Sequence, residues 1–383
     1  MERRSSIFAF DTLTGLPRVT ASLVLTLVFC AGFRAVLYAA SDRLDRIPAP
    51  AIFQRYIELE DQIISRAKTR PKIVLMGNSM ARYGLLEDQI AAAAGMAPAE
   101  VANLGIEAGQ PWDALFFWRR NPEFFSDVRL VVYNVGFSEL QERSVRRRLG
   151  HFYRFSTLPE KLTVDRWSDR MLMTLDWVWP YHSDRRDLVT WGLGLCGESD
   201  YLRPEAMRPA WEPSKMTTLR ARWLPRLESA KPPSAPGASV DPEWTPAEWP
   251  EGTSQCQVNL LTRLVDQWRH AGIKVLLVAM PGATVIHRAR FCNQDAQTRL
   301  AQFNAAMSAM TGGGVAYLCW RDGAEAGLDD AADFMDECHL TPQGARKFTS
   351  LIVSRLTAMD WLPPPPQASS LAGNIGWYGS SDP

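Results

Sequence analysis

The chain has few of the residues that bind metal ions and no excess of positive charge. Its 383 residues include five histidines and six cysteines, and no Cys-x-x-Cys motif occurs among them. Zinc sites use such residues at short spacings, so the sequence predicts neither a metal site nor a cofactor. The 42 Lys and Arg residues are matched by 42 Asp and Glu residues. Because general binding to nucleic acid depends on excess positive charge, we expect no nucleic-acid partner.

The cysteines do not form an obvious framework of disulfides. One of them lies in an apolar N-terminal run, which leaves an odd number in the rest of the chain. Cys196 with Cys256, or Cys292 with Cys319, are candidate pairs in an oxidising compartment, although spacing alone does not choose between pairings. We interpret Cys338 as a core residue or a disulfide half, because neighbouring side chains in an extended loop point to opposite sides.

Long apolar runs are also scarce, and the main one lies near the N-terminus. Residues 19–33 are apolar, Arg34 interrupts them, and residues 35–40 are apolar again. If Arg34 reaches to the membrane interface, the run attains the roughly 20 residues that a spanning helix needs. No small-x-small cleavage site follows, so we predict an uncleaved signal anchor over residues 19–40, with a cleaved signal peptide as the alternative. The preceding arginines predict that residues 1–18 are cytoplasmic and that the rest lies on the periplasmic or extracellular side of the cell inner membrane.

Five short apolar runs predict an α/β fold. They alternate with stretches in which apolar residues recur at helical spacing, as in residues 257–270 and 295–310. Strands that alternate with helices favour right-handed crossovers and a parallel sheet. We therefore predict a three-layer α/β/α architecture with a five-stranded, doubly wound parallel sheet. The predicted strands are residues 73–76, 101–104, 130–134, 275–279 and 315–318.

Three other regions flank or interrupt this predicted domain, which spans residues 71–362. Residues 41–70 are interpreted as a stalk, and the proline-rich residues 363–383 as a mobile tail. Residues 141–255 are too long for a simple crossover and are rich in Trp and Arg, so we interpret them as an insertion. The aromatic side chains of the insertion can stack on sugar rings or cover an acyl group. Alternatively, they pack the insertion onto the sheet or meet a membrane surface.

Two distant segments carry the residues of a serine nucleophile and its base. The first predicted strand runs into Gly77-Asn78-Ser79, a turn that would lift the Ser79 hydroxyl to the carboxyl end of the sheet. Near the other end, Asp336 stands three residues before His339. If the segments meet, His339 can accept the proton of Ser79 while Asp336 orients the imidazole and stabilises its charged form.

Each motif also has a simpler interpretation. A Gly-x-Ser turn after a strand is common in α/β proteins, and an Asp-x-x-His pair alone is equally unspecific. The residues after His339 favour the catalytic interpretation, because Thr341 and Pro342 predict the capped start of a helix.

Together, these blocks resemble the SGNH, or GDSL-like, hydrolase superfamily. In that family, a histidine also stands just ahead of a capped terminal helix, and a second block supplies a backbone N–H to the oxyanion hole. The resemblance assigns this role to Gly105 and to either Ala108 or Gly109. In the third block, the chain departs from the family and has Ser138 where the oxyanion asparagine is expected. A serine hydroxyl still donates one hydrogen bond, although its orientation is less restricted than that of an amide.

A second departure lies beside the nucleophile. The family usually has aspartate where this chain has Asn78. Asn134 ends the third predicted strand, and we place it near the site together with Asn78.

The resemblance implies an acyl-enzyme intermediate, which water resolves in an esterase and a sugar hydroxyl resolves in a transferase. Single-pass exported relatives include accessory proteins of alginate acetylation and of teichoic-acid D-alanylation. The resemblance thus implies that the substrate is an acylated glycan or polysaccharide, with acetyl as the simplest acyl group. It also implies a membrane-bound O-acyltransferase as partner. Two alternatives remain: a glycan-binding or scaffolding module with little catalysis, and a lipid esterase at the membrane surface.

Overall fold

The computed structural model describes residues 70–106, 109–137, 140, 254–291 and 294–362, together with scattered helical positions between 20 and 35 and between 162 and 225. The stalk before residue 70, the tail after residue 362 and most of the insertion lie outside the described residues. The chain divides into two compact units. One comprises Met1–Ile57 and Gly150–Arg208, and the other comprises Glu58–Leu149 and Pro209–Pro383. The sheet and the candidate site belong to the second unit.

The predicted parallel sheet is confirmed. Its five strands lie in the order β2-β1-β3-β4-β5, and every neighbouring pair is parallel. In this order β2 and β3 lie on opposite sides of β1, so the direction of the chain connections reverses at β1. In open α/β sheets, a crevice forms at this reversal, outside the carboxyl ends of the strands. The strands are β1 Ile73–Met76, β2 Val101–Asn103, β3 Leu130–Asn134, β4 Lys274–Ala279 and β5 Val315–Cys319.

Helices precede and follow the strands, as the periodicity predicts. The helix expected over residues 257–270 begins earlier because Ser254 caps it, its side chain accepting a hydrogen bond from the Gln257 N–H. A 3₁₀ turn over Pro98–Glu100 leads into β2. The helices are α1 Ser79–Gly84, α2 Glu87–Ala93, α3 Pro111–Arg120, α4 Gln255–His270, α5 Thr284–Arg290, α6 Gln294–Ser308, α7 Asp330–Asp333 and α8 Pro342–Ala358.

Both faces of the sheet are covered, which makes three layers. Side chains alternate between the faces along each strand, so Leu130 and Val132 lie on one side and Val131 and Tyr133 on the other. The first side packs in one core cluster with α1, α2, α5 and α8. On the second side, the Tyr133 ring lies 6.1 Å from the ring of Trp268 on α4. Strands buried on both faces are continuously apolar, which explains why the sequence predicts them well.

The N-terminal apolar run is described only at separate helical positions. Among the described residues, no helix has both the length and the apolar character of a membrane span. The signal anchor over residues 19–40 stays a prediction. Its described large side chains are more than half exposed, at Val24, Leu25, Val28 and Phe29.

Candidate active site

The turn between β1 and α1 presents Ser79 at the carboxyl edge of the sheet. Gly77 has a φ of 125°, and a Cβ at this position would lie 2.5 Å from the backbone oxygen of Asn134. Only glycine fits such a close approach at a positive φ. Asn78 caps α1, and its side-chain oxygen accepts a hydrogen bond of 2.7 Å from the Met80 N–H. Ser79 is consequently the first residue of the helix.

The loop before α8 presents His339. One carboxylate oxygen of Asp336 accepts hydrogen bonds from the N–H groups of Cys338, at 2.9 Å, and of His339, at 2.8 Å. The Met335 N–H donates to the backbone oxygen of His339 at 2.8 Å, which closes the loop. As predicted, Thr341 caps the helix that follows. Its hydroxyl oxygen accepts a hydrogen bond from the N–H of Gly344, the third residue of that helix. The aspartate thus shapes the loop that carries the histidine.

The three side chains predicted to work together meet in space. The Ser79 Oγ lies 2.8 Å from the His339 Nε2, across 260 positions of sequence. The His339 Nδ1 lies 2.7 Å from the second carboxylate oxygen of Asp336. The histidine and aspartate side chains are only 15% and 11% exposed. Nucleophile, base and orienting carboxylate have this arrangement in serine hydrolases.

Asp336 is held in its charged form. Burial by itself would raise its pKa, but the hydrogen bond and the charge of His339 act in the opposite direction, as do the two backbone N–H donors. The net result is a pKa below the usual value of an aspartate. A carboxylate that stays ionised can keep the proton of the neutral imidazole on Nδ1, which leaves Nε2 free to accept a proton.

Two of the predicted oxyanion donors are engaged inside their own loop. The Gly105 N–H donates to the Asn103 side-chain oxygen at 2.9 Å, and the Gly109 N–H donates to the Ile106 backbone oxygen at 3.1 Å. In this conformation neither N–H is offered to a substrate, which differs from the expectation. The other two candidates, Ala108 and Ser138, lie outside the described residues.

Two buried asparagines have a larger structural role than the sequence indicated. Asn103 donates from its amide nitrogen to the backbone oxygens of Ala81 and Leu85, at 3.1 and 3.0 Å, which fixes α1 against the end of β2. Asn134 is fully buried and donates to the Asn78 side-chain oxygen at 2.7 Å. Each asparagine is the last residue of a buried strand. An amide at the end of an apolar run must find hydrogen-bond partners, and that pattern could have identified both residues.

Neither candidate disulfide, Cys196 with Cys256 or Cys292 with Cys319, is formed. Cys256, Cys319 and Cys338 are thiols rather than disulfide halves, which contradicts both candidate pairs; Cys196 and Cys292 lie outside the described residues.

Cys338 also does not point away from its neighbour. Its Sγ lies 3.7 Å from the His339 Nδ1, because the hydrogen bonds to Asp336 curl the loop and prevent an extended conformation. Asp336, Cys338 and His339 bring three potential metal-ligand atoms within 4.8 Å of one another.

Neighbouring elements support the histidine. The ring of Tyr83, on α1, packs edge-on against the His339 ring, with centroids 6.3 Å apart. Below the loop, the Ala283 N–H, just before α5, donates to the Glu337 backbone oxygen at 2.9 Å. Arg290, the last residue of α5, forms an ion pair with the Glu337 carboxylate. The loop is therefore attached to α5 as well as to α8.

No protein-family model and no curated protein matches the sequence. Among solved structures, a GDSL-like lipase from Bacteroides thetaiotaomicron is similar at 10% identity and a TM-score of 0.33, over 78% of this chain and 97% of that one. A protein assigned to the acylhydrolases, from Bacteroides fragilis, is similar at 12% identity and a TM-score of 0.32, over 77% and 94% of the two chains. Both TM-scores are low, so the description of the fold rests on the strand order and register of this chain.

Proposed function

We propose that this chain is a serine acyl-transfer enzyme of the SGNH type. Ser79 is the nucleophile, His339 the general base and Asp336 the carboxylate that orients it. The observation that carries the proposal is the continuous pair of hydrogen bonds, 2.8 Å from Ser79 to His339 and 2.7 Å from His339 to Asp336. The motif resemblance to SGNH enzymes supports the same roles.

The geometry suits a two-step reaction. The Ser79 Oγ attacks the acyl carbonyl carbon, and its proton passes to the His339 Nε2. The imidazolium, stabilised by Asp336, then gives this proton to the departing alcohol as the tetrahedral intermediate collapses to an acyl-enzyme. In the second step, water or a sugar hydroxyl loses its proton to His339 and attacks the acyl group. The imidazolium then returns this proton to the Ser79 oxygen as the acyl product leaves, which restores the hydroxyl.

Stabilisation of the oxyanion is the weaker part of the site. The N–H of Ser79 is the first of α1 and has no carbonyl within its helix to donate to, so it is a candidate donor. The N–H groups of Gly105 and Gly109 are engaged in their loop. Because loss of one donor lowers kcat by about 100- to 1,000-fold, we expect slow turnover of simple esters unless the loop rearranges around a substrate.

The proposed setting is a membrane-anchored enzyme outside the cytoplasm. The apolar run at residues 19–40 supports the anchor, and the likeness of the motifs to polysaccharide-acylation proteins supports an acetylated glycan as substrate. A membrane-bound O-acyltransferase is the proposed partner that delivers the acyl group. We expect the aromatic side chains in the sequence of the Trp-rich insertion, residues 141–255, to stack on sugar rings.

Labelling by a fluorophosphonate tests the nucleophile directly. Such a probe reacts with a serine that has an activated hydroxyl, so we expect one label per chain in the wild type. Ser79→Ala and His339→Ala should abolish labelling, whereas Ser308→Ala, at an exposed position on α6, should leave it unchanged. A folded wild-type protein that takes up no label would contradict the proposal.

A second candidate is a glycan-binding module that has lost most of its catalysis. The engagement of the Gly105 and Gly109 N–H groups favours it, because an enzyme needs such donors. This candidate predicts that Ser79→Ala binds an acetylated polysaccharide as tightly as the wild type, and that neither protein is labelled. Binding without labelling would favour the module over the enzyme.

A further inference from the structure

We propose that Asp336, Cys338 and His339 form a binding site for a thiophilic divalent cation, Zn²⁺ being the best match, and that its occupation switches off the base of Ser79. The site lies on the far side of the imidazole from the serine. Its effect on catalysis rests on the proposed function, whereas the binding of the metal does not.

The distances between the ligand atoms suit a tetrahedral ion. The Cys338 Sγ and the His339 Nδ1 are 3.7 Å apart, and all three ligand atoms lie within 4.8 Å. Zinc bonds of about 2.3 Å to sulfur and about 2.0 Å to nitrogen place these two atoms roughly 3.6 Å apart in a tetrahedron. The Asp336 oxygen, now 2.7 Å from Nδ1, has to move outward by less than about 1 Å. The loop therefore needs little rearrangement.

The types of ligand select the ion. Mg²⁺ and Ca²⁺ prefer oxygen ligands and gain little from a thiolate or an imidazole. Zn²⁺ accepts sulfur, nitrogen and oxygen together, and three protein ligands leave a fourth position for water. The backbone bonds from Cys338 and His339 to the other oxygen of Asp336 hold the loop in the required shape without the metal. Such preorganisation favours binding.

Binding changes the protons of the site in a defined way. Cys338 must lose its thiol proton to ligate the cation, and Asp336 is already a carboxylate. A cation on Nδ1 requires the single proton of the neutral His339 ring to move to Nε2. One proton is released for each cation bound. A protonated Nε2 donates instead of accepting, so it no longer takes the proton of Ser79.

Calorimetric titration of the full chain with Zn²⁺ tests the site without using activity. We expect the wild type and Cys319→Ser, whose exposed thiol lies outside the group, to bind one Zn²⁺ with equal affinity. Cys338→Ser and Cys338→Ala should each bind at least about 10-fold more weakly. Titration in buffers of different ionisation enthalpy should show about one proton released by the wild type. Equal affinity in the wild type and both Cys338 variants would overturn the proposal.

Fluorophosphonate labelling in the presence of Zn²⁺ tests the switch. We expect Zn²⁺ to slow the labelling of the wild type at the concentration at which it binds, and to leave Cys338→Ser labelled at its metal-free rate. Labelling of a Zn²⁺-saturated wild type at the full rate would overturn the switch. If Ser79 is never labelled although Zn²⁺ binding still depends on Cys338, the metal site stands and the proposed enzyme function fails.

Discussion

Ser79 and His339 are held in place by different parts of the molecule. The nucleophile turn, residues 77–79, depends on the neighbouring strand: Gly77 lies against the backbone of Asn134, and Asn78 accepts a bond from the Asn134 side chain. The base loop, residues 335–339, depends mainly on itself. Asp336 accepts hydrogen bonds from Cys338 and His339, and Phe334 and Leu340 close the loop as an isolated antiparallel bridge.

The difference indicates what each region can tolerate. A change at Gly77 or Asn78 disturbs the contact between β1 and β3 and should first reduce stability. A change in the base loop leaves the sheet intact and should first reduce activity. Outside the loop, Glu337 contacts α5 and the Tyr83 ring of α1 packs against His339. Variants in the two regions should therefore separate stability from activity.

Asp336→Asn should give the largest effect and should act almost entirely on activity. The asparagine oxygen can still accept the backbone bonds that shape the loop, but its NH₂ group faces the His339 Nδ1 and forces the ring proton onto Nε2. With the wrong tautomer, the rate of fluorophosphonate labelling should fall by about 1,000- to 10,000-fold.

Glu337→Gln, in the same loop, is the matched control. An amide oxygen can still accept from Arg290, so labelling should change by less than about threefold. If Asp336→Asn kept its rate within tenfold of the wild type, the carboxylate would not be orienting the base.

Gly77→Ala should mainly reduce stability. Its new Cβ would lie 2.5 Å from the Asn134 oxygen at a φ of 125°, so β1 and β3 would have to move apart. We expect a loss of about 3 kcal/mol or more in the free energy of unfolding, measured with urea. Gly272→Ala is the control, because its φ of 78° is also positive but no atom lies within 4 Å of the added Cβ. It should lose only about 1–2 kcal/mol; equal losses would mean that crowding at Asn134 does not matter.

The sequence predicted those parts of the molecule in which the pattern of apolar and polar residues along the chain matches the burial of the residues in the fold. The continuous apolar run of β3 is typical of a strand buried on both faces of a parallel sheet, and a Gly-Asn-Ser turn follows β1 directly. The sequence did not predict that the Asn103 side chain accepts a hydrogen bond from the Gly105 N–H, or that Asp336 turns Cys338 toward His339. Both depend on which of several backbone N–H groups a side chain selects. That choice is made by the three-dimensional arrangement of the loop and leaves no period or spacing in the sequence.

His287 should make stability depend on pH in the helix that supports the base loop. Burial of its ring, which packs 4.5 Å from Phe291, lowers the pKa of His287 to about 4. The unfolded chain has the ordinary value of about 6.5, so below that pH the unfolded state binds the extra proton. This contribution to stability is complete above pH 6.5 and is lost as the pH falls toward 4. It amounts to about 3 kcal/mol at most.

His287→Phe, measured by urea unfolding between pH 4 and 7, should remove that part of the pH dependence. His270→Gln, at an exposed position on α4, should keep it. A His287→Phe protein with the full wild-type slope would show that the buried ring is not its source.

The smallest expected effect tests whether Asn78 acts through its acceptor oxygen. Asn78→Asp keeps an oxygen for both the Met80 N–H and the Asn134 NH₂ group, so it should lower the free energy of unfolding by less than Asn78→Ala does. Asn78→Ala removes the cap and leaves the buried Asn134 amide without this acceptor, at a cost of about 1–2 kcal/mol. Equal stability of these two variants would mean that the sheet holds the nucleophile turn through Gly77 alone, and that the bond between the two asparagines adds nothing.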